Sequence, residues 1–260
     1  MDLHRVKGFM LDMDGTFYLG DHLLPGALAF LDLLNQKGLA YTFLTNNSSK
    51  NCAEYVQKLI QLGVKPKDAR VYTSGDATIR YVKEHFPGKK VFLVGTLGLE
   101  KAFIESGIEL DPVNPDLVVL GYDTTLTYQK CCDLCDMVKT GLPYIATHPD
   151  INCPAPHGFV PDIGAMMALV ETSTGRKADL IIGKPNRIMV ELIAAELEVP
   201  MTHLAMVGDR LYTDIALGST SGVTTILLLS GESKLEDLET SPFKPDYIFQ
   251  DLAELAQQLQ

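Results

Sequence analysis

No apolar run in the chain approaches the roughly 18–20 residues that cross a bilayer, which argues against a membrane-spanning helix. The first residues, Met1-Asp2-Leu3-His4-Arg5, include an acid and lead straight into a strand-like segment. They lack the apolar core and small-residue cleavage site of a signal peptide, so a cytoplasmic protein is expected. Positive charge is scarce: 22 Lys and Arg stand against 33 Asp and Glu, for a net charge of −11. Such a surface repels nucleic acid and anionic membranes, and neither is expected as a partner. Cysteine is sparse and irregular. Five in number, the cysteines form no framework and do not read as a secreted disulfide scaffold. Cys132 and Cys135 have the spacing of half a zinc site, but no second Cys/His pair follows at a suitable distance. Tyr128, Cys131, Cys132, Cys135 and Val138 recur at helical spacing, which points instead to buried free thiols. Repeats and low-complexity tracts are also missing.

What is present is ordinary globular composition, 46% hydrophobic and 21% charged, in a chain of 260 residues. That length holds one large domain or two modest ones. Short apolar runs alternate with amphipathic stretches, the pattern of an α/β protein with a mainly parallel, Rossmann-like sheet. Gly8–Leu11 ends at Asp12. Pro25 to Lys37 reads as a helix stopped by Gly38. Leu39–Leu44 is a strand ending at Thr45-Asn46-Asn47, after which Ser48 or Ser49 can cap a helix. Leu180–Ile182 runs into Gly183-Lys184-Pro185, and Leu204–Val207 into Gly208-Asp209-Arg210. Four strands of one design thus end in Asp12, Thr45, Lys184 and Asp209. Ligands of open α/β sheets bind at the carboxyl ends of strands, so these four residues are expected to converge. The middle of the chain repeats the α/β pattern separately and contains an irregular Pro-rich stretch, Pro149 to Pro161. The expected organisation is a discontinuous core, residues 1–75 and 179–260, with residues 76–178 inserted as a smaller α/β domain. Thr73-Ser74-Gly75 and Ser173-Thr174-Gly175 read as its hinges.

Asp12 and Asp14 stand two apart on an extended segment and point the same way. Two carboxylates on one side call for divided labour or a shared cation. Asp209 adds a third oxygen ligand, and Asp214 can join directly or through water. Mg²⁺ suits a few carboxylates combined with water and phosphate. Lys184 adds a fixed positive charge, Thr45 a hydroxyl, and Asn46 and Asn47 amide donors where a helix begins. An acidic protein can in this way hold an anionic phosphate ester. Any one of these residues alone reads as turn or cap chemistry; the set of four strand ends does not.

Asp12-Met13-Asp14-Gly15-Thr16 resembles the first motif, DxDGT, of the haloacid dehalogenase-like phosphohydrolases. Leu44-Thr45-Asn46-Asn47 resembles the second motif, Gly183-Lys184-Pro185 the third, and Gly208-Asp209-Arg210-Leu211-Tyr212-Thr213-Asp214 the fourth. The motif wording and the insertion between the second and third are similar to the NagD-like subfamily with its C2-type cap, which includes p-nitrophenyl phosphatase-like and pyridoxal phosphatase-like proteins. The resemblance implies that Asp12 attacks phosphorus to form an aspartyl-phosphate. It implies that Asp14 protonates the leaving alkoxide and then activates water. Mg²⁺ would be held by Asp12, the main-chain carbonyl of Asp14, and Asp209, with Asp214 supporting the shell. Thr45, Asn46, Asn47 and Lys184 would hold the phosphoryl oxygens.

The inserted domain is expected to cover the site as a cap and to select a small phosphorylated metabolite. Its loop, Thr147 to Pro154, supplies His148, Asp150, Asn152 and Cys153 as candidates for contact with the leaving group, with Asp150, Asn152 and Cys153 as the specificity set and His157 and Asp162 slightly further on. Relatives with this cap type imply a homodimer. Two other functions share parts of the motif set. A phosphotransferase or mutase would use the same aspartyl-phosphate. A receiver-like signalling module also groups Asp, Thr and Lys around Mg²⁺, but it is much shorter and needs neither a cap nor an acid two residues after the nucleophile.

Overall fold

The computed structural model describes residues 3–155 and 158–260; His157 lies outside them. The chain divides into two compact units, one of Met1–Thr45, Ala53–Tyr72 and Lys184–Gln260, the other of Asn46–Cys52 and Thr73–Gly183. Strand β1 (Gly8–Asp12) leads through β2 (Tyr18–Leu19) and β3 (His22–Leu23) into α1 (Ala27–Lys37) and β4 (Ala40–Thr45). Helix α2 (Cys52–Gln61) and β5 (Val71–Thr73) follow. Next come α3 (Ser74–His85), β6 (Val91–Val94), α4 (Leu97–Glu105), β7 (Leu117–Leu120), α5 (Tyr128–Lys139) and β8 (Tyr144–Ala146). Strands β9 (Asn152–Ala155) and β10 (Gly158–Pro161), helix α6 (Ile163–Thr174) and strand β11 (Leu180–Ile181) complete that stretch. The chain ends with α7 (Arg187–Leu197), β12 (Leu204–Gly208), a π-helical turn (Leu211–Ile215), α8 (Ala216–Ser221), β13 (Thr224–Leu228), α9 (Asp237–Thr240), β14 (Tyr247–Phe249) and α10 (Leu252–Leu259).

The first unit is built on a sheet of order β14-β13-β12-β1-β4-β5. Strand β1 pairs in parallel with β12 and β4, and β13 with β12 and β14. All five residues of β1 and of β12 are buried, as continuous apolar strands of a sheet covered on both faces must be. From β1 the chain steps outward to β4 and β5; from β12 it steps the other way. The reversal makes the β1–β12 boundary a topological switch point, the place where open α/β sheets bind their ligands. Register brings the strand ends level: Leu11 lies opposite Val207, and Asp12 opposite Leu44. Asp12, Thr45 and Asp209 therefore leave the sheet side by side.

The second unit has its own sheet, β11-β8-β7-β6, with parallel pairings throughout. Phe92, Val118, Leu120 and Tyr144 from its strands pack against Leu134, Cys135 and Val138 of α5 and Ile163 and Val170 of α6. Among the described residues no helix is long and apolar enough to cross a membrane.

Four local expectations need correction. The strand before Lys184 does not join the core sheet; β11 pairs with β8 in the second sheet. Its apolar sequence suits either sheet, and only the pairing decides. Second, the Pro-rich stretch is not wholly irregular, because β9 and β10 form an antiparallel pair. A two-stranded ribbon has free edges on both sides, so proline's missing N–H is tolerated there. Third, neither Ser48 nor Ser49 caps α2, which starts at Cys52. The Ser48 hydroxyl is shared with Thr147 Oγ1 at 2.8 Å and accepts from Tyr122 N, while Ser49 donates to Asn47 Oδ1. Fourth, of the free thiols on α5 only Cys135 is buried; Cys131 and Cys132 sit half-buried at the shoulder of the helix.

Candidate active site

Asp12 is the last residue of β1, with 9% of its surface exposed. Lys184, 2% exposed, places its ammonium 2.5 Å from Asp12 Oδ1 and 2.6 Å from Asp214 Oδ1. It reaches this position from the segment preceding α7. Asn186 caps that helix by accepting from Ile188 N, and the Pro185 carbonyl accepts from Thr220 Oγ1 at 2.5 Å, so the segment is held just after the lysine. The Lys184–Pro185 peptide is cis.

Asp209 follows β12 and is buried. Its Oδ1 accepts from Thr16 Oγ1 at 3.2 Å and its Oδ2 from Glu232 N at 2.7 Å. Asp214 projects from the π-helical turn and is fully buried; its Oδ2 accepts from Arg210 N at 3.1 Å. Leu211 and Ile215 anchor that turn by packing on Leu227. Arg210 pairs with Glu232 at 3.0 Å. Two glycines make the crowding possible. Gly15 has φ +88° and a Cβ there would lie 2.3 Å from Asp209 Oδ2; a Cβ on Gly208 would lie 2.3 Å from the Asp214 carboxyl carbon.

Oxygens of Asp12, Asp209 and Asp214 lie within 4.8 Å of one another. Burial pushes the Asp12 carboxyl well above the ordinary carboxylate range, against the pull of Lys184 and with the charges of Asp214 and Asp209 adding to the rise. Asp209 is pushed up to about 6, first by burial and then by Asp214. Burial draws the Lys184 ammonium down, but Asp12 and Asp214 outweigh it, and the group is held firmly protonated. Three buried acids around one lysine thus leave negative charge uncompensated. A donor set made only of oxygens, short of positive charge, fits a hard divalent cation.

Asp14 is exposed, and Tyr18 Oη donates to its Oδ2 at 3.4 Å. Thr45 stands half-buried at the end of β4. The remaining residues singled out in the sequence belong to the second unit. Asn46 is buried and donates to Asp150 Oδ1 at 3.0 Å; Asn47 donates to Cys153 Sγ at 3.8 Å; Asn152 is exposed at the start of β9. His148 is fully buried. Its Nε2 is 3.0 Å from Asp162 Oδ1, and its Nδ1 is 3.1 Å from Thr147 Oγ1 and 3.3 Å from Ser74 Oγ. Asp162 in turn caps α6. The structure thus gathers Asp12, Lys184, Asp209 and Asp214 within the first unit, and joins Asn46 to Asp150 and Asn47 to Cys153 within the second.

Sequence reasoning passed over Thr16, Arg210, Glu232 and Tyr18. Thr16 and Arg210 lie inside the recognised motifs, and a hydroxyl or guanidinium beside an acid is a readable signal. Glu232, which meets Asp209 through its main chain and Arg210 through its carboxylate, lies outside those motifs and left none.

A doubly wound sheet with carboxylates and a buried lysine at its switch point defines an α/β enzyme whose working edge is built for charge. The family model for haloacid dehalogenase-like hydrolases matches residues 9–109, and a HAD-hydrolase-like model matches residues 181–255. The acid sugar phosphatase of Staphylococcus aureus is 36% identical over 259 residues, covering 99% of this chain and 100% of that one. Among solved structures, the 4-nitrophenylphosphatase of Thermotoga maritima matches with a TM-score of 0.97 at 50% identity over 99% of each chain. NagD from Escherichia coli K-12 matches with a TM-score of 0.88 at 32% identity, over 98% of each chain. The chain belongs to the haloacid dehalogenase-like hydrolases, in their NagD-like branch.

Proposed function

We propose that this NagD-like phosphatase hydrolyses small phosphate monoesters through an aspartyl-phosphate on Asp12. The observation that carries the reading is the pairing of a strand-end carboxylate, Asp12, with a buried, firmly protonated Lys184 2.5 Å away. Lysine orients the carboxylate and supplies a charge that a phosphoryl oxygen can share. Asp12 forms the bond to phosphorus as the leaving oxygen departs. Asp14, exposed on the turn after β1, gives that oxygen its proton and later takes one from the attacking water. Thr45, Asn46, Asn47 and Lys184 hold the phosphoryl oxygens, since phosphoryl transfer depends mostly on positioning and charge. Asp12, the Asp14 carbonyl and Asp209 would hold Mg²⁺, with Asp214 behind them, and the ion would supply Lewis-acid compensation of phosphoryl charge.

The second unit, taken as the cap, selects the leaving group through Asp150, Asn152 and Cys153. The acid sugar phosphatase relative makes phosphorylated sugars the first substrates to try. The test is phosphate release over a panel of phosphorylated metabolites, with Mg²⁺ and with chelator, for the parent and for Asp12→Asn. Turnover should need the metal and vanish in a folded Asp12→Asn. Turnover retained by that variant would remove Asp12 from the mechanism.

A further inference from the structure

Tyr18 is fully buried, yet its hydroxyl donates to the exposed carboxylate of Asp14 at 3.4 Å. The loop between the two residues is folded so that they meet. Phe17 N and Tyr18 N both donate to the Met13 carbonyl, at 2.9 and 3.1 Å, and Gly15 N donates to the Tyr18 carbonyl at 2.8 Å. The chain therefore doubles back within a few residues and sets the phenol against the carboxylate. Strand β2 then pairs with β3, which fixes the backbone of Tyr18 from the far side. On the ring face, Lys58 of α2 places its ammonium 4.0 Å from the ring centroid. A cation at that distance attracts the ring and restrains its tilt. A core tyrosine needs none of this geometry, and a phenol keeps its proton at neutral pH, so it faces a carboxylate as a donor.

We propose that Tyr18 is the positioning residue of the acid–base carboxylate: its hydroxyl holds Asp14 Oδ2 and so sets the orientation in which the carboxyl delivers its proton to the leaving oxygen. This rests on the reading of Asp14 as general acid. In the first half-reaction an Asp12 oxygen bonds to phosphorus while the bond from phosphorus to the leaving oxygen breaks. The electron pair of that bond stays on the leaving oxygen, which takes the proton from the Asp14 carboxyl. Asp14 becomes anionic in the same step. A hydrogen bond from a neutral donor strengthens when its acceptor gains charge. Tyr18 therefore aims the proton and also favours its departure. Leaving groups that need a proton feel the loss of Tyr18; those that leave as stable anions feel it much less.

The experiment compares Tyr18→Phe and Asp14→Asn with the parent. Each is assayed for kcat/KM with p-nitrophenyl phosphate, whose leaving group needs no proton, and with glycerol phosphate, whose alkoxide does. kcat/KM reports the steps through departure of the leaving group, so slow hydrolysis of the intermediate does not mask the effect. The phenylalanine keeps the ring, its packing and the Lys58 contact. In Tyr18→Phe the aryl-to-alkyl ratio should rise about tenfold, the scale of one hydrogen bond to a charged group. In Asp14→Asn it should rise by about a hundredfold or more, the contribution of a positioned general acid. A ratio that rises in Asp14→Asn and stays at the parent value in Tyr18→Phe would make Tyr18 a packing residue and overturn the assignment. A ratio unmoved in Asp14→Asn would refute Asp14 as the acid, and the role of Tyr18 with it.

Discussion

Replacing Lys184 by methionine keeps the volume and removes the charge, so it isolates what the ammonium does. The Lys184 side chain is 3% exposed and lies 2.5 Å from Asp12 and 2.6 Å from Asp214. At an effective dielectric of about 20, Coulomb's law gives each contact a gross attraction of ~6 kcal/mol. Desolvation of the ammonium and the carboxylates takes back several kcal/mol per ion. What remains is the cost of leaving carboxylates buried without their partner, about 3–5 kcal/mol when one member of a buried pair is removed. The loss should be largest in chelator, where Arg210 is left to face Asp12, and smaller in Mg²⁺. Denaturant unfolding of Lys184→Met and parent in both buffers measures it. The same substitution takes a charge from the phosphoryl oxygens, and kcat should fall about 10²- to 10³-fold, as for loss of an oxyanion donor. A variant as stable as the parent in chelator, with kcat within a few-fold, would refute the reasoning.

Stability in chelator should also depend on pH. Asp209 is raised from 3.8 to about 6, so the folded chain binds that proton more tightly than the unfolded chain. Its contribution is full below the lower value and is lost as pH rises through the upper one, ~3 kcal/mol at about 1.4 kcal/mol per unit. Thermal melts between about pH 4 and pH 7 should show the decline, flattened by Mg²⁺; a level profile in chelator would contradict it. Gly15→Ala forces a side chain into φ +88° and against Asp209; the left-handed strain alone costs about 1–2 kcal/mol, so both the melting midpoint and activity should drop. His148→Ala strips partners from Asp162, Thr147 and Ser74 inside the second unit. Removing a hydrogen bond from each of these buried groups should cost about 1–3 kcal/mol by chemical denaturation, and His148→Gln should recover part of it.

Much of the first unit was legible because parallel strands buried on both faces write themselves as apolar runs ending in polar residues. Asp12, Thr45 and Asp209 were readable for that reason, and register explains why they emerge together. Lys184 meets Asp12 by another route than the one its sequence context suggests. The strand before it belongs to the second sheet, and the lysine reaches Asp12 from a loop pinned by Asn186 and Thr220. Strand pairing is a long-range choice, and a two-residue apolar strand carries no signal of which sheet it will join. The β9–β10 ribbon was hidden by its prolines. His148 read as a candidate for substrate contact, whereas its nitrogens face Asp162, Thr147 and Ser74 in the interior. Sequence spacing shows that such a residue is near a loop, not which way it turns. The contact of Tyr18 with Asp14 depends on a turn closed by main-chain hydrogen bonds, which side-chain pattern does not encode.

The central claim is that Asp12 carries the phosphoryl group during turnover. Rapid acid quench of the enzyme mixed with excess substrate, followed by mass spectrometry of the proteolytic peptides, tests it most directly. A transient phosphoryl adduct on the peptide containing Asp12, formed before steady state and absent from Asp12→Asn, is the expected result. Turnover with no adduct on that peptide, or with the phosphoryl group on a different residue, would contradict the account.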